Sequence, residues 1–519
     1  MTSLLERYAS KIKGVLSCFD RVIIHGTLPG LCHAAGMTAY LKARGVRIFD
    51  YPRWAEQWRD LLRTHVETLA AAEGLTIEFV RKLKAFRKED RIQQILATRG
   101  THPGLVHIFS AMEPCPSYRP WHDKQTHQTL LKPDSGKCLH YYFYFIDPTL
   151  GLCYLRLPTW SPFRLQVYFN GHNWLAAQLR ARGIAYEQVD NAFVDISDFT
   201  RAQALADDLR VVRLHAALDR FAQRYCPIIK RLDMRYHWSL MQVEYATDIV
   251  FRDARALADL YEPLTRTAIH AVKAQHVATF LGHKLTAAFR GELGTDFTTR
   301  VLGTRIKHHM GPAAIKLYDK FGRVLRIETT ANKVEFFKHH RQVVQKDGRR
   351  VMKLAPVRRS IYSLAPDLQT LLRAANLRYL AFLSELRDPR AGVTALRKVC
   401  EPVAKKGRTY RGLNFFAASD QALFEHLVHG EFLISGLRNQ DLRARHRTHH
   451  RTDLPRAQAP ARPRPAQEAR PYLQILLHQP RPPRHSRRPQ AQDPRAHSRP
   501  HRTARRRLNS LLIRSRLHP

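Results

Sequence analysis

AAIKLYDKFGRVLRIETT, residues 313–330, alternates apolar and polar side chains on either side of Gly322. A period of two marks a strand with one buried face, and glycine supplies the positive φ of a tight turn, so the stretch predicts a β-hairpin. Ile315, Leu317, Leu325 and Ile327 fall on one face, a core face. Lys316, Tyr318, Lys320, Arg326 and Glu328 fall on the other. A phenol, a carboxylate and several cations on one strand face can bind a DNA backbone or cut it. In that reading Tyr318 is the nucleophile toward phosphate, and Lys316 and Arg326 stabilise the developing charge. Glu328, Asp319, His308 and His309 would hold a divalent cation, Mg²⁺ or Mn²⁺. The plainer reading is a wet face with cross-strand pairs from Glu328 to Lys316 or Arg326.

Upstream, CFDRVIIHG (18–26), VRIFD (46–50), TIEFV (76–80) and LVHIFSA (105–111) are short β-rich runs. Helical stretches separate them, the clearest carrying Trp54, Trp58, Leu61, Leu62, Val66 and Leu69. This alternation predicts an N-terminal α/β layer with a mainly parallel sheet, residues 1–135. LHYYFYFID, LCYLRLP and FRLQVYFNG, within 139–171, predict antiparallel strands, whereas 172–290 reads as mostly helical. Residues 136–360 thus form a mixed α+β domain with a helical insert. A packing stripe of Leu368, Leu371, Leu372, Ala375, Tyr379, Phe382, Leu383 and Leu386 opens a third segment, 361–442. The predicted fold class is multidomain, α/β and α+β.

Acidic residues at strand ends offer a second candidate site, because in-line phosphoryl displacement needs two or three carboxylates converging on Mg²⁺. Asp20 at the head of the first strand, Asp147 after LHYYFYFI, and Glu244 or Asp248 in MQVEYATDIVF are the candidates. Asp147 before a proline equally suits a turn, and Glu244 on a helix equally suits an ion pair. Cys115, His122, His127, Cys138 and His140 have the residue types of a zinc site, but no regular spacing. His25-Gly26-Thr27 falls short of a phosphate loop.

Composition narrows the partner. The 519 residues hold 86 Lys+Arg against 44 Asp+Glu, a net charge of +42, with 44% hydrophobic residues. Such a chain buries a core and is not disordered as a whole. No apolar run reaches the roughly 18 residues of a membrane helix. The charged start MTSLLERYASKIKG is no export signal, and the seven irregularly spaced cysteines read as reduced thiols, so a cytoplasmic protein is expected. Its basic surplus points to a polyanion, and double-stranded DNA leads. Cations recur beside aromatics in three runs: Arg81, Lys82, Lys84, Arg87 and Lys88 around Phe86; Lys338 and Arg341 after Phe336 and Phe337; and Lys405, Lys406, Arg408 and Arg411 around Tyr410.

Residues 443–519 change character, with 20 Arg, no Lys, 12 Pro and only three acids. They carry +17 and leave +25 on the rest. Two readings stand: a disordered Arg/Pro arm that grips phosphates without base preference, or an out-of-frame segment from GC-rich DNA. Shifting the codons of Leu454 to Gln479 by one base permits a string, SRALKRLRVHGL onward to TYKYYFT, with the look of a recognition helix and wing. Just upstream, Ser419 and Asp420 can cap a helix striped by Leu423, Phe424, Leu427 and Val428, and LISGLRNQDLRAR supplies a turn and second helix. Residues 361–442 therefore end in the front half of a winged helix.

Two resemblances follow from these residues. IKLYDK…LRIE resembles the hairpin of replication-initiation proteins from plasmids and filamentous phages over about 20 residues. It lacks their His-hydrophobic-His metal motif. SCFDRVIIHGTLP, KAFRKEDRI, CLHYYFYFIDP, HWSLMQVEYATDIVF and RIKHHMGPAAIKLYDKFGRVLRIETTAN look like a bacterial family labelled MarR-like regulators, over residues 1–445. That resemblance implies DNA binding through a C-terminal winged helix. A regulator needs little beyond the winged helix and a dimer or effector domain, and this body is larger. The leading expectation is a DNA-processing protein of a mobile element or replicon. A non-enzymatic winged-helix regulator and an RNA-binding protein are the alternatives, with homo-oligomerisation left open.

Overall fold

The computed structural model describes residues 4–81, 86–285, 289–300, 303–386, 400–405, 408–410, 412–414, 417–418 and 420–421. The chain divides into two units, Met1–Asp388 and Pro389–Pro519. In the first, strands run in the order β1 (Ile12–Thr27), β2 (Ile77–Phe79), β3 (Gly104–Asp123), β4 (Gln128–Asp147), β5 (Gly151–Pro158) and β6 (Leu165–Asn170). Then come β7 (Tyr186–Val189), β8 (Ala192–Ile196), β9 (His237–Phe251), β10 (Leu293–Arg300), β11 (Gly303–Met310), β12 (Ala313–Lys320), β13 (Val324–Ala331), β14 (Lys338–Val344) and β15 (Arg350–Pro356). The second unit contributes β16 (Val403–Lys405), paired with β17 (Arg408–Tyr410).

Eleven strands make one sheet in the order β10-β11-β12-β13-β9-β1-β6-β5-β4-β3-β2, an α+β arrangement with helices packed on it. The predicted hairpin forms β12 and β13, pairing Lys316 with Glu328 and Tyr318 with Arg326. Gly322 sits at φ 67° in its turn. Ile315, Leu317, Leu325 and Ile327 are fully buried on the predicted core face, each contributing about 1.5–3 kcal/mol of burial.

Several expectations change. Pairing is antiparallel throughout the large sheet except between β2 and β3, so the N-terminal region is not a mainly parallel layer. VRIFD is no strand: Ile48–Asp50 is a turn of 3₁₀ helix feeding Tyr51–Ala72, where Pro52 suits the first helical turn. The boundary expected at 135 falls inside the β3–β4 hairpin, where Pro116 pairs with Ser135. Nor does the chain break at 360, because Thr329 on β13 donates its hydroxyl to Asn376 Oδ1 at 2.6 Å.

The segment expected to be helical contains an interior strand of the large sheet, β9. Its C-terminal half, from Tyr245 to Phe251, is buried on both faces, which hides the alternation a half-buried strand would show. The far face of the sheet is apolar: Phe143 stacks on Tyr225 with ring centroids 4.6 Å apart, and Phe145 meets Phe221 at 4.7 Å. There too, Asn376 of helix Gln369–Leu386 donates to the Tyr245 carbonyl and to Thr247. The near face carries the polar row described next. The expected winged-helix start and the segment 443–519 lie outside the described residues, apart from a few positions up to Gln421.

Candidate active site

The hairpin face and the strand-end acids converge on one site, because β9 lies between β13 and β1. Register aligns Arg326 with Asp248 and Thr330 with Glu244 across β13 and β9. Across β9 and β1, Glu244 faces Arg21, and a bulge between Phe19 and Arg21 leaves Asp20 unpaired. A bulge re-aims the extra side chain, and here it turns Asp20 toward Glu244 and Glu328. Carboxylate oxygens of Asp20, Glu244 and Glu328 all lie within 4.8 Å of one another.

A lattice of cations and amides holds this cluster. Arg326, fully buried, donates from Nε and Nη2 to the two Asp248 oxygens at 2.6 Å each, and from Nη2 to the Asn191 carbonyl at 2.6 Å. Its Nη1 lies 3.4 Å from Asp20. Asp20 accepts from Asn191 Nδ2 at 2.6 Å and Asn170 Nδ2 at 3.3 Å, with His172 Nδ1 3.2 Å away. Lys316 bridges Glu328 at 2.5 Å and Glu244 at 3.1 Å, and Tyr318 donates its hydroxyl to Glu328 at 2.5 Å. Lys320 pairs with Asp190 and donates to Asn191 Oδ1.

Local sequence explains how these parts arrive. Asn170 ends β6 and caps helix Gly171–Arg180 by accepting from His172 N–H at 2.8 Å. Gly171 lets the helix start touch β1: a Cβ there would lie 2.1 Å from the Phe19 carbonyl oxygen. The close approach sets His172 between Asp20 and Asp248, 3.3 Å from the latter. Asn191 comes from the turn between β7 and β8.

Electrostatics separates the acids. Burial opposes the Asp20 charge, but Arg326 and His172 prevail and hold its carboxyl well below the usual range. Asp248, equally buried, is held down to about 2 by Arg326 and His172. Glu328 moves the other way: burial pushes it above its ordinary value, Lys316 opposes, and the neighbouring Asp20 and Glu244 add to the rise. Burial would lower Lys316, yet Glu328 and Glu244 hold it above its ordinary value. Burial and Glu328 push the Tyr318 phenol well up.

Asp20 and Glu244 open onto a cleft of about 910 Å³. Tyr144, Tyr154 and Tyr168 from β4, β5 and β6 continue its lining, with Tyr154 and Tyr168 stacked at 5.0 Å. Asp147 also lines the cleft, but its carboxylate accepts from Thr149 and Leu150 N–H at 2.9 and 3.0 Å and meets Arg220 at 3.3 Å. It is the turn residue of the plainer reading and stands outside the three-carboxylate cluster.

Other expected ligands are placed elsewhere. His308 is buried on the apolar face, its two ring nitrogens engaged by Thr295 at 2.8 Å and Tyr379 at 2.9 Å, and burial lowers it to about 4. His309 lies 3.4 Å from Asp296. Asp319 also points away from Glu328, and burial pushes it up to about 6. Among the described residues, Asp20, Glu244 and Glu328 are the one group of three or more such side chains close enough to share an ion. The zinc candidates therefore do not converge: His122 bonds Thr129 near the tip of the β3–β4 hairpin, while Cys138 lies 3.8 Å from His140 deep in the sheet.

Of the expected DNA contacts, Arg326 and Lys316 are internal counter-ions, and Lys88 lies 3.4 Å over the Tyr142 ring. Arg81, Arg87 and Lys338 are exposed, and Arg341 is half-buried. Lys82, Lys84, Lys406 and Arg411 lie outside the described residues, as do the side chains of Lys405 and Arg408. His172, Asn170 and Asn191 were not legible as site residues. Asn170 read only as the end of a strand, and the one signal an Asn before Gly-His could have given is that of a helix N-cap. No family model, curated protein or solved structure matches the chain.

Proposed function

We propose that this protein is a divalent-cation-dependent phosphoryl-transfer enzyme acting on DNA. The observation that carries the reading is the convergence of Asp20, Glu244 and Glu328, from three neighbouring strands, at the edge of a cleft. Carboxylate oxygens suit the hard cations Mg²⁺ and Mn²⁺. Such an ion would polarise a phosphate oxygen and lower the pKa of bound water. The elevated Glu328 carboxyl fits the site, since a nearby dication relieves the repulsion among the three acids.

This chain's own residues supply the rest. Lys316, already shared by Glu244 and Glu328, places a fixed positive charge beside the cluster and can stabilise charge developing on a phosphoryl group. Tyr318 orients Glu328 by hydrogen bonding. Its raised pKa disfavours the phenolate that a covalent tyrosine mechanism requires, so water is the favoured nucleophile. Arg326, Asp248 and His172 hold Asp20 in place.

The test is nicking of supercoiled plasmid by purified protein with Mg²⁺ or Mn²⁺. Cleavage lost in Glu244→Gln and Asp20→Asn, retained in Tyr318→Phe at reduced rate, supports the reading. A protected footprint at one duplex sequence with no cleavage under any cation would replace it with a binding protein.

A further inference from the structure

Among the described residues, strands β14 and β15 pair only with each other, outside the large sheet. A lone two-stranded ribbon is marginally stable in water unless something covers it. Its base is fastened, since Phe337 and Val357 at its two ends are buried and His339 lies 3.6 Å from Asp367. Beyond that, large apolar side chains stand in solvent: Val344 and Met352 are 60% exposed and Leu354 57%. Pairing puts His340 opposite Leu354 and Gln342 opposite Met352, so the three apolar residues share one face.

Charge surrounds them. Between Lys338 and Pro356 there are six Lys or Arg and one acid, Asp347, a net +5. Lys338 and Arg350 lie on the apolar face, Arg341 and Lys353 on the other, and Lys346 and Arg349 in the turn. We propose that this ribbon is a DNA-gripping arm that enters a groove of the duplex, with Met352, Leu354 and Val344 against bases and sugars and its cations on the flanking phosphates. The proposal rests on duplex DNA being the partner of the active site.

Dimensions and charge favour that occupant. Seven residues per strand span about 24 Å, and the major groove is wide enough for a two-stranded ribbon. Cations on both faces suit a groove, which presents phosphates on two sides. A lipid surface would meet only one face. A second copy would set +5 against +5.

The experiment compares full-length wild type with Arg349→Gln/Arg350→Gln/Lys353→Gln and with Met352→Ser/Leu354→Ser. Fluorescence anisotropy of a short labelled duplex is followed over rising KCl. All five positions are exposed, and circular dichroism confirms folding. The cation variant is expected to bind about 10-fold or more weakly and to lower the salt slope by about three. The apolar variant is expected to bind about fivefold more weakly with an unchanged slope. Affinities and slopes within twofold of wild type, alongside intact Mn²⁺-dependent nicking, would overturn the arm while leaving the active-site reading standing. Wild type that binds no duplex would overturn both. A dimer that the apolar variant splits, or anionic phosphatidylserine vesicles bound in place of duplex, would overturn the arm in favour of those occupants.

Discussion

Replacing Arg326 with methionine keeps most of the side-chain volume and removes the charge at the centre of the site. Arg326 is fully buried, with three hydrogen bonds at 2.6 Å, two of them to Asp248, and it faces Asp20 at 3.4 Å. The substitution strands two carboxylates in the sheet with only His172, Lys320 and amides for company. Removing one partner of a buried pair costs about 3–5 kcal/mol. With a urea dependence of about 3 kcal/mol per molar, the unfolding midpoint should fall by about 1–1.7 M. Circular dichroism through a urea titration measures it. Adding Asp248→Leu should recover at least half of the loss, because the stranded charge then goes too. A midpoint within about 0.2 M of wild type, or a double variant as weak as the sum of its parts, would refute the counter-ion role. So would a salt slope for duplex binding lowered by about one, the mark of a phosphate contact.

Asp248, held at about 2 in the fold against 3.8 ordinarily, should contribute stability above pH 3.8 that is lost as pH falls toward 2. Melting temperatures of wild type and Asp248→Asn should therefore converge across that window, and parallel curves would contradict it. Glu328 has the opposite sign: its raised carboxyl favours the protonated fold, a contribution present below its ordinary pKa and lost as pH rises through the folded value. Glu328→Gln should accordingly melt at or above the wild-type temperature at pH 8 while losing nicking, and a large loss of stability there would count against the strained cluster. Gly171→Ala should cost about 1–3 kcal/mol or more, since the new methyl meets the Phe19 carbonyl at 2.1 Å; a wild-type denaturation midpoint would contradict the close approach.

The hairpin was legible because each of its strands has one buried and one polar face, and that difference is written into the order of residues 313–330. Membership of Glu328 and Tyr318 in a polar site followed directly. Partnership with Asp20 and Glu244 did not, because it depends on β9 inserting between β13 and β1, a long-range pairing that no local period encodes. Glu244 was further disguised by the residues that follow it, Tyr245 to Phe251, which are buried on both faces of the strand, and Asp20 by a bulge. Arg326 and Lys316 read as surface cations because a polar strand face usually faces water. Here it faces acids from the next strands, which turns the same residues into internal counter-ions. Asp147 shows the converse, a strand-end acid consumed by its own turn.

Calorimetric titration of Mn²⁺ into the full chain tests the central claim most directly. Saturable binding that strengthens as pH rises through the elevated Glu328 titration, and that disappears in Asp20→Asn and Glu244→Gln, is the predicted result. Identical heats from wild type and both variants would mean that Lys316 and Arg326 already complete the cluster, and that the three carboxylates hold the sheet together without holding an ion.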